Sequence, residues 1–515
     1  MQTPVPNTMR ELVIDGKSLT ISDVVETGFG RTRVSLSDDA RKKMKDSRIG
    51  IDEILESGKT TYGINTGFGA LSSVSIDSDK LEVLQANLIR SHACGIGDEM
   101  ENGHTLMMML IRANTLCRGN SGARPIVVDT LISMINNRVC PVIPRIGSLG
   151  ASGDLAPLSH LAMGMMGEGP CNVLDGEGNW IRMTALDALR EFGIEPIVPA
   201  AKEGLSLING TSQMCAFMCE ALHNLDTLCF ASDASTACTV EAIRGSHKPF
   251  DSRIHLSRPH PGQRISAARI SSLLSGSQIK ISHENCERVQ DAYSIRCSPQ
   301  VHGPVIDILK ESRRILEIEI NSSTDNPLIF TDGDIEVISG GNFHGQYIAL
   351  CSDSIAVACH ELASISERRI NQVLDPQWSG HSPFLALEEG LESGLMIIQY
   401  SSAAVLSELH LMSAPASTSN VPVSMGKEDH ASMGATGSFR SMKSTRLLSN
   451  VIANELICGC EALDRIVENP GSGVAEIKEW VRSIVNPLQG DRQLSDDTRN
   501  LSKAILEGGL TGIFK

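Results

Sequence analysis

Aromatic residues are scarce in this chain of 515 residues, since Phe, Trp and Tyr together make up only 3% of it. Leu, Ile, Met, Ala and Ser are plentiful instead. That mixture favours packed helices, because strands favour aromatic and β-branched side chains. Hydrophobic residues make up 41% and charged residues 21%, which is typical of a globular protein. The composition therefore predicts a mainly α-helical globular fold, and the length suggests two to four domains.

Basic charge is also in short supply. The chain has 45 Lys and Arg residues against 61 Asp and Glu residues, a net charge of −16, and no long basic run. Proteins that bind nucleic acid use clustered Lys and Arg to contact phosphates, so nucleic acid is not an expected partner. The acidity indicates solubility instead.

The 14 cysteines are not spaced in the pattern of a disulfide framework. The pairs Cys215/Cys219 and Cys458/Cys460 lack the C-x-x-C spacing of a zinc site. We therefore expect reduced, mostly buried thiols of a cytosolic protein, and no bound metal ion.

Targeting signals are absent from the sequence as it stands. The first six residues provide neither a basic n-region nor an apolar h-region, so we expect no signal peptide. The most apolar stretches, such as residues 395–406, are too short to span a bilayer. The sequence thus predicts a cytoplasmic protein that has no membrane partner.

Two further patterns look like binding motifs but fail on closer inspection. A phosphate-binding loop ending in Gly58-Lys59-Thr60 would require glycine at position 53, which is Glu. His255 and His260 have a metal-like spacing, but we predict that they are two surface histidines.

Long helical patterns dominate the second half of the chain. Apolar runs with few breakers, or with a helical period, occupy residues 209–238, 355–373, 395–412 and 441–466. Such helices need one another to bury their apolar faces, which favours a helical bundle. A small hairpin is predicted within residues 325–341.

The predicted domains follow the change from Gly- and Pro-interrupted sequence to long helical patterns. Residues 1–204 are interrupted by Gly and Pro and form a mixed, loop-rich N-terminal domain that includes the segment around residue 152. Residues 205–480 form the central long-helix bundle, and residues 481–515 form a C-terminal helical segment.

One segment, residues 147–160 (GSLGASGDLAPLSH), points to an unusual chemistry. Small residues surround Ser152, and Gly153 has no Cβ to keep its nitrogen away from the Ala151 carbonyl. Closure of a ring between these two groups, with loss of two water molecules, would leave a methylidene on a five-membered ring. No side chain can supply such an electrophile. A flexible Gly/Ser turn is the alternative interpretation of the three residues alone.

The longer string resembles the signature of the histidine and aromatic amino acid ammonia-lyases, which form 4-methylidene-imidazole-5-one (MIO) from Ala-Ser-Gly. Further segments resemble the family in the same order along the chain: residues 61–69, 87–93, 207–211, 289–297, 339–344 and 428–430. The histidine branch fits best. This resemblance implies a mainly α fold with a long central bundle of the aspartase/fumarase type, and a homotetramer whose active sites are shared between subunits.

The resemblance also implies an activity, namely elimination of ammonia from L-histidine to give trans-urocanate, the first step of histidine degradation. It assigns Tyr62 as the base that takes the β proton, which requires a pKa below the value of about 10 for a free phenol. It assigns Tyr293 as a second phenol of the site. Arg296 is expected to bind the substrate carboxylate through its planar fork.

Other residues of the implied site bind rather than react. Asn209 and Gln290 are expected to donate hydrogen bonds to the ring oxygen and the substrate, and Phe343 to wall the pocket. His92 and Glu408 are expected to hold the two ring nitrogens of the substrate imidazole. Each of these residues has a plainer interpretation as a satisfied core group or a surface charge. Because the electrophile is made from the chain itself, we expect neither a metal ion nor pyridoxal phosphate.

Two other functions remain open at this point. A phenylalanine or tyrosine ammonia-lyase or aminomutase of the same family is disfavoured by His92, because the aromatic branches generally carry another residue there. A non-catalytic helical oligomeric scaffold is disfavoured by the joint presence of Ser152, Tyr62 and Arg296. Lys427 stands where the histidine branch commonly has Gln, a departure that can alter the local charge and the working pH.

Overall fold

The computed structural model describes residues 9–57, 61, 63–66, 76–77, 80–283 and 289–514. The elements up to residue 208 are β1 (Arg10–Ile14), α1 (Ile21–Gly28), β2 (Thr32–Leu36), α2 (Asp38–Glu56), α3 (Leu81–His92), β3 (Ile96–Glu99), α4 (Asn102–Leu116), α5 (Pro125–Asn136), β4 (Val139–Pro141), β5 (Pro144–Ile146), α6 (Leu155–Met165), β6 (Pro170–Leu174), β7 (Trp180–Thr184), α7 (Ala185–Glu191) and α8 (Glu203–Ile208).

The elements after residue 208 are almost entirely helical. They are α9 (Ser212–Ala242), α10 (Ser252–Ser257), α11 (Pro261–Leu273), α12 (Gln278–Ser282), α13 (Tyr293–Arg296), α14 (Ser298–Glu319), β8 (Leu328–Phe330), β9 (Glu336–Ile338), α15 (Gln346–Leu374), α16 (Pro376–Ser379), α17 (Met396–Met412), α18 (Gly434–Leu463), α19 (Ser472–Arg482), α20 (Ser495–Leu506) and α21 (Gly509–Gly512). The predicted mainly α fold is confirmed.

Contacts divide the chain into two compact units. The first contains Met1–Glu220, Arg313–Asp353 and Pro415–Phe439, and the second contains Ala221–Ser312, Ser354–Ala414 and Arg440–Lys515. The long helices α9, α14, α15 and α18 each contribute residues to both units. The predicted domain boundaries after residues 204 and 480 divide the chain into consecutive segments, whereas each contact-based unit combines three separate segments. The predicted boundaries therefore stay a prediction.

The first unit combines small sheets with helices. Strands β1 and β2 pair in parallel, β3 and β5 pair antiparallel, and β4, β6 and β7 form an antiparallel sheet. Strands β8 and β9 form the antiparallel hairpin that was predicted within residues 325–341. Helix α4 is buried from His104 to Leu116, as expected of a core helix that is covered on all sides.

The predicted long helices exist, with bounds that differ from the prediction. Helix α9 begins at Ser212 and covers most of the run predicted at 209–238. Helix α15 contains the run at 355–373 and begins nine residues earlier, and α17 begins one residue later than the run at 395–412. Helix α15 ends at Leu374, before Pro376, as predicted. Helix α18 begins at Gly434 rather than 441 and ends at Leu463 rather than 466.

A buried polar network joins four helices within the second unit. Arg369 of α15 donates to both carboxylate oxygens of Glu455 of α18, with N–O distances of 2.6 and 2.9 Å. Ser235 and Thr239 of α9 donate to the same carboxylate at 2.8 and 2.9 Å. On α14, His302 lies 3.4 Å from the Arg369 guanidinium. Both charged side chains are fully buried, and each is the direct counter-charge of the other.

Glu455→Gln is expected to destabilise the protein by about 3–5 kcal/mol, because it leaves the Arg369 charge buried without a counter-charge. The measurement is the midpoint of denaturant unfolding at fixed protein concentration. Glu99→Gln, in an exposed pair with Arg182, serves as the control and should shift the midpoint little. Equal midpoints for the two variants would contradict this account of the network.

The structure corrects one expectation about the histidines and cysteines and confirms two others. His255 is buried rather than a surface residue, and its ring nitrogens bond Pro249 O and the Gln263 amide at 3.0 Å each. His260 is exposed, as predicted. The cysteines in the described part of the chain are free and mostly buried, as expected, and only Cys94 is exposed.

Helix α15 is long and apolar enough to cross a membrane, by length and composition alone, so the expectation that the most apolar stretches are too short does not hold for this helix. However, 61% of its most apolar window is buried inside the protein. The core helix of a soluble protein meets the same criterion, which makes this weak evidence for a membrane span.

Candidate functional site

The segment with the unusual chemistry forms a tight turn between β5 and α6. Gly150 and Gly153 have φ angles of +65° and +75°, in the left-handed region that favours glycine. A Cβ on Gly153 would lie 2.2 Å from the Gly210 oxygen. Only glycine therefore fits at position 153. Ala151 is buried and Ser152 is half-buried, so this turn is packed rather than loose.

Asn209 and Gly210, which follow α8, lie directly against this turn. Gly153 and Gly210 form a parallel β-bridge, and the Asp154 N–H donates to Gly210 O at 2.7 Å. The Asn209 side-chain amide donates to Ser152 O, also at 2.7 Å. Asn209 is only 3% exposed, and its Oδ1 has no hydrogen-bond partner among the described residues. The structure thus brings Asn209 to the predicted triplet.

Asp154, which the sequence analysis did not single out, anchors the turn to α9. Its carboxylate accepts hydrogen bonds from Ser148 Oγ at 2.7 Å and from the N–H groups of Gln213 and Met214 at 2.8 and 3.1 Å. Burial raises the pKa of Asp154 to about 6, although these hydrogen bonds and the charge of Arg112 oppose the shift. The sequence feature that could have identified Asp154 is that it is the one carboxylate within residues 147–160.

Arg112 is the second residue that the sequence analysis missed. It lies on α4 with no exposed surface, and its Nη1 donates to Asn209 O at 2.6 Å. Burial lowers the pKa of Arg112 to about 10, which still leaves it charged at neutral pH. The sequence feature that could have identified Arg112 is its position as a single charge directly after the apolar run at residues 106–111.

Two loops that contain family-like segments, residues 339–344 and 428–430, converge on the start of the turn. Gly345 N–H donates to Gly150 O at 3.2 Å. Phe343, which precedes Gly345 by two residues, is half-buried. On the second loop, Ser432 Oγ donates to the same oxygen at 2.9 Å, and Met433 N–H donates to Leu149 O at 2.8 Å. The loops also meet each other, since the rings of His344 and His430 lie 5.2 Å apart.

His92 ends helix α3, in the same unit. Its Nδ1 lies 2.9 Å from Leu88 O and 3.0 Å from Ser91 Oγ. Burial lowers the pKa of His92, while the bond to Leu88 O and the charge of Glu428 oppose the shift. A neutral imidazole is therefore favoured at this position.

The remaining predicted site residues belong to the second unit or lie outside the described residues. Tyr293 is 71% exposed, and the Arg296 guanidinium lies 4.5 Å from the centre of its ring. Arg296 Nε is buried and has no hydrogen-bond partner among the described residues. Gln290 and Glu408 are exposed. Tyr62 lies outside the described residues.

Helix α17, which carries Glu408, exposes a broad apolar face. Ile397, Tyr400 and Leu411 are 61–66% exposed. Only Ile398, Ser402 and Leu409 of this helix are buried. An exposed apolar face of this kind is typical of an interaction surface.

Among the described ranges, no group of three or more His, Cys, Asp or Glu side chains could hold a metal ion.

Comparisons with known proteins cover nearly the whole chain. The sequence model of the aromatic amino acid lyase family matches residues 19–483. The histidine ammonia-lyase of Myxococcus xanthus (strain DK1622) is 43% identical over 500 residues, which cover 97% of each chain.

Solved structures agree with this result. The histidine ammonia-lyase from Trypanosoma cruzi has a TM-score of 0.91 at 38% identity, covering 98% of this chain and 94% of that one. A tyrosine aminomutase from Streptomyces globisporus has a TM-score of 0.90 at 34% identity, covering 98% of each chain.

Proposed function

The chain belongs to the aromatic amino acid lyase family, and we propose that within it the chain is an ammonia-lyase that converts L-histidine to trans-urocanate and ammonia. The elimination breaks one C–H bond at the β carbon and the C–N bond at the α carbon, and a carbon–carbon double bond forms between the two carbons. The observation that carries the proposal is the contact of Asn209 with Ser152 O beside the left-handed Gly153. The names of the nearly full-length relatives support the choice of histidine.

The residues of the turn fit an MIO group. Ring closure joins Gly153 N to the Ala151 carbonyl carbon, and two waters leave with that carbonyl oxygen and with Ser152 Oγ. The Ser152 carbonyl then becomes the ring carbonyl, and Asn209 already donates to its oxygen at 2.7 Å. The space around Gly153 admits no Cβ, which suits the close approach that ring closure needs. The ring supplies an electrophilic methylidene, so the reaction needs neither a metal ion nor pyridoxal phosphate.

Chain residues bind and orient the substrate around this electrophile. Arg296 pairs with the substrate carboxylate, and its buried Nε, which has no hydrogen-bond partner in the described part of the chain, supports that role. Tyr62 takes the β proton, and Tyr293 and Gln290 complete the polar lining. Phe343 forms an apolar wall. His92, whose lowered pKa favours the neutral imidazole, and Glu408 each hold one nitrogen of the substrate imidazole.

We infer that the protein is a cytoplasmic homotetramer in which active sites are shared between subunits. The apolar face of α17 supports this, because an exposed surface of this kind is stabilised when a second copy covers it. Glu408 lies on the same helix and is exposed in the single chain, so a covering subunit would place this carboxylate inside a pocket.

The test is a substrate panel. The protein is incubated with L-histidine, L-phenylalanine and L-tyrosine in turn, and both ammonia and the absorbance of the conjugated acid are followed. We expect both products from histidine, with the other two substrates turned over at least about 100-fold more slowly, a lower bound to the roughly 10⁴-fold discrimination that unpaired buried polar groups can provide. Turnover of tyrosine or phenylalanine in preference to histidine would favour an aromatic-substrate enzyme, such as the structurally similar tyrosine aminomutase. No turnover of any of the three would favour a non-catalytic scaffold.

A further inference from the structure

Arg112 is a buried cation that makes one hydrogen bond among the described residues. It lies within a stretch of α4 in which every residue from His104 to Leu116 is buried. Its Nη1 donates to Asn209 O at 2.6 Å. Its Nε and Nη2 are also buried and have no hydrogen-bond partner in the part of the chain that the structure describes. The guanidinium therefore directs its one hydrogen bond at Asn209.

The nearby carboxylates bond other groups. Asp154 accepts from Ser148 Oγ and from the backbone at the start of α9. Asp325 accepts from Lys202 Nζ at 2.9 Å and from Ser121 Oγ at 3.0 Å. Both carboxylates favour the charged form of Arg112 only at longer range. A buried charge without a direct ion pair is costly, and an apolar side chain of similar volume would often serve stability better. Packing alone does not account for an arginine here.

Asn209-Gly210 lies between the Arg112 guanidinium and the turn at Ser152-Gly153 and contacts both. A Cβ on Gly210 would be 2.4 Å from Arg112 Nη1, and a Cβ on Gly153 would be 2.2 Å from Gly210 O. Gly210 has a φ of +150°, which glycine adopts readily. Glycines at both positions thus allow the cation to approach the turn through one intervening backbone segment.

We propose that Arg112 is a positioning residue for the elimination and acts through Asn209 on the Ser152 carbonyl. Its hydrogen bond fixes the Asn209 backbone and thereby the side-chain amide that donates to Ser152 O. Its charge places positive potential behind that amide, and charge-assisted hydrogen bonds in a buried chain strengthen one another. Negative charge that develops on the Ser152 oxygen during the reaction is stabilised by such a preorganised donor. This inference rests on the proposed function.

A double-mutant cycle tests the proposal. Arg112→Lys keeps the charge but loses the planar fork, and its kcat per ring-bearing chain is expected to fall roughly 10- to 100-fold, less than the loss from removing a direct donor. KM should change little, because Arg112 does not touch the substrate. In an Asn209→Ala background, the same change should alter kcat by no more than about twofold, since the residue through which it acts is gone.

Two further readouts separate positioning from general stability. The fraction of chains that carry the ring is measured by intact mass, and the near-ultraviolet absorbance of the ring should shift in Arg112→Lys, because the polarity at the Ser152 oxygen changes. Arg138→Lys is the matched control, since Arg138 is a buried arginine that also donates to backbone carbonyls, those of Asn136 and Gly30. The control should lower the thermal midpoint without changing kcat or the absorbance.

The outcomes are distinct. An equal fold-loss for Arg112→Lys in both backgrounds, or a kcat per ring-bearing chain and an absorbance equal to those of Arg138→Lys, would overturn the inference. An unsubstituted protein that carries no ring or does not release ammonia from histidine would instead refute the proposed function.

Discussion

Ser152→Ala is expected to leave the fold intact and to reduce the turnover of L-histidine by about 10⁴-fold or more, a loss of about 5 kcal/mol in transition-state stabilisation. The side chain is half-buried and small, so its removal disturbs little packing. The hydroxyl, however, is the group that leaves when the methylidene forms. No other side chain in the protein can supply an electrophile of this kind.

The measurement is kcat for urocanate formation, with circular dichroism to verify the fold. Ser159→Ala is a suitable control, because Ser159 is a buried serine on α6 whose hydroxyl donates only to Leu155 O, at 2.7 Å. The control should retain nearly full activity. A Ser152→Ala variant as active as the Ser159→Ala variant would refute the role of the triplet.

The second large effect concerns the choice of histidine. His92→Leu and Glu408→Ala are each expected to reduce kcat/KM for histidine strongly, by up to roughly 10⁴-fold in favourable cases, because the substrate imidazole loses a polar partner. Burial lowers the pKa of His92, so this ring can share a hydrogen bond with the substrate as a neutral group. His92→Leu should also raise the weak activity on phenylalanine, whose ring is apolar.

The readout is kcat/KM for histidine and phenylalanine, together with the unfolding midpoint. Glu476→Ala, an exposed glutamate on α19, controls for the removal of a surface carboxylate and should change neither value. If both His92→Leu and Glu408→Ala turn over histidine as fast as the unsubstituted protein does, the assignment of specificity is wrong. An aromatic amino acid should then replace histidine as the assigned substrate.

Local sequence patterns predicted helices α9, α15, α17 and α18 but not all their ends, and they did not predict α14. Helices α15 and α17 follow from apolar periodicity and from the stop at Pro376. Helix α18 begins earlier than predicted, within a glycine-containing stretch of low helix propensity. The reason is close packing, since a Cβ on Gly434 would lie 2.8 Å from Met214 Sδ and one on Gly437 would lie 2.3 Å from Ser352 Oγ. Tertiary contact therefore overrides local propensity there.

The site shows a similar limit. Ser152 and Asn209 are 57 residues apart, and only resemblance to a family could place both in one site before the structure was known. Arg112 and Asp154 were missed, because a sequence does not show which charges are buried. His255 was assigned to the surface for the same reason, since its partners Pro249 and Gln263 become apparent only in the fold.

The most direct test of the account is the intact mass of the purified, unsubstituted protein, compared with the mass encoded by its sequence. If the MIO ring forms, the mass is lower by two water molecules, and fragmentation locates the loss to the peptide that contains Ala151, Ser152 and Gly153. The same protein should release ammonia from L-histidine. A protein of full encoded mass that nevertheless turns over histidine at full rate would contradict the account.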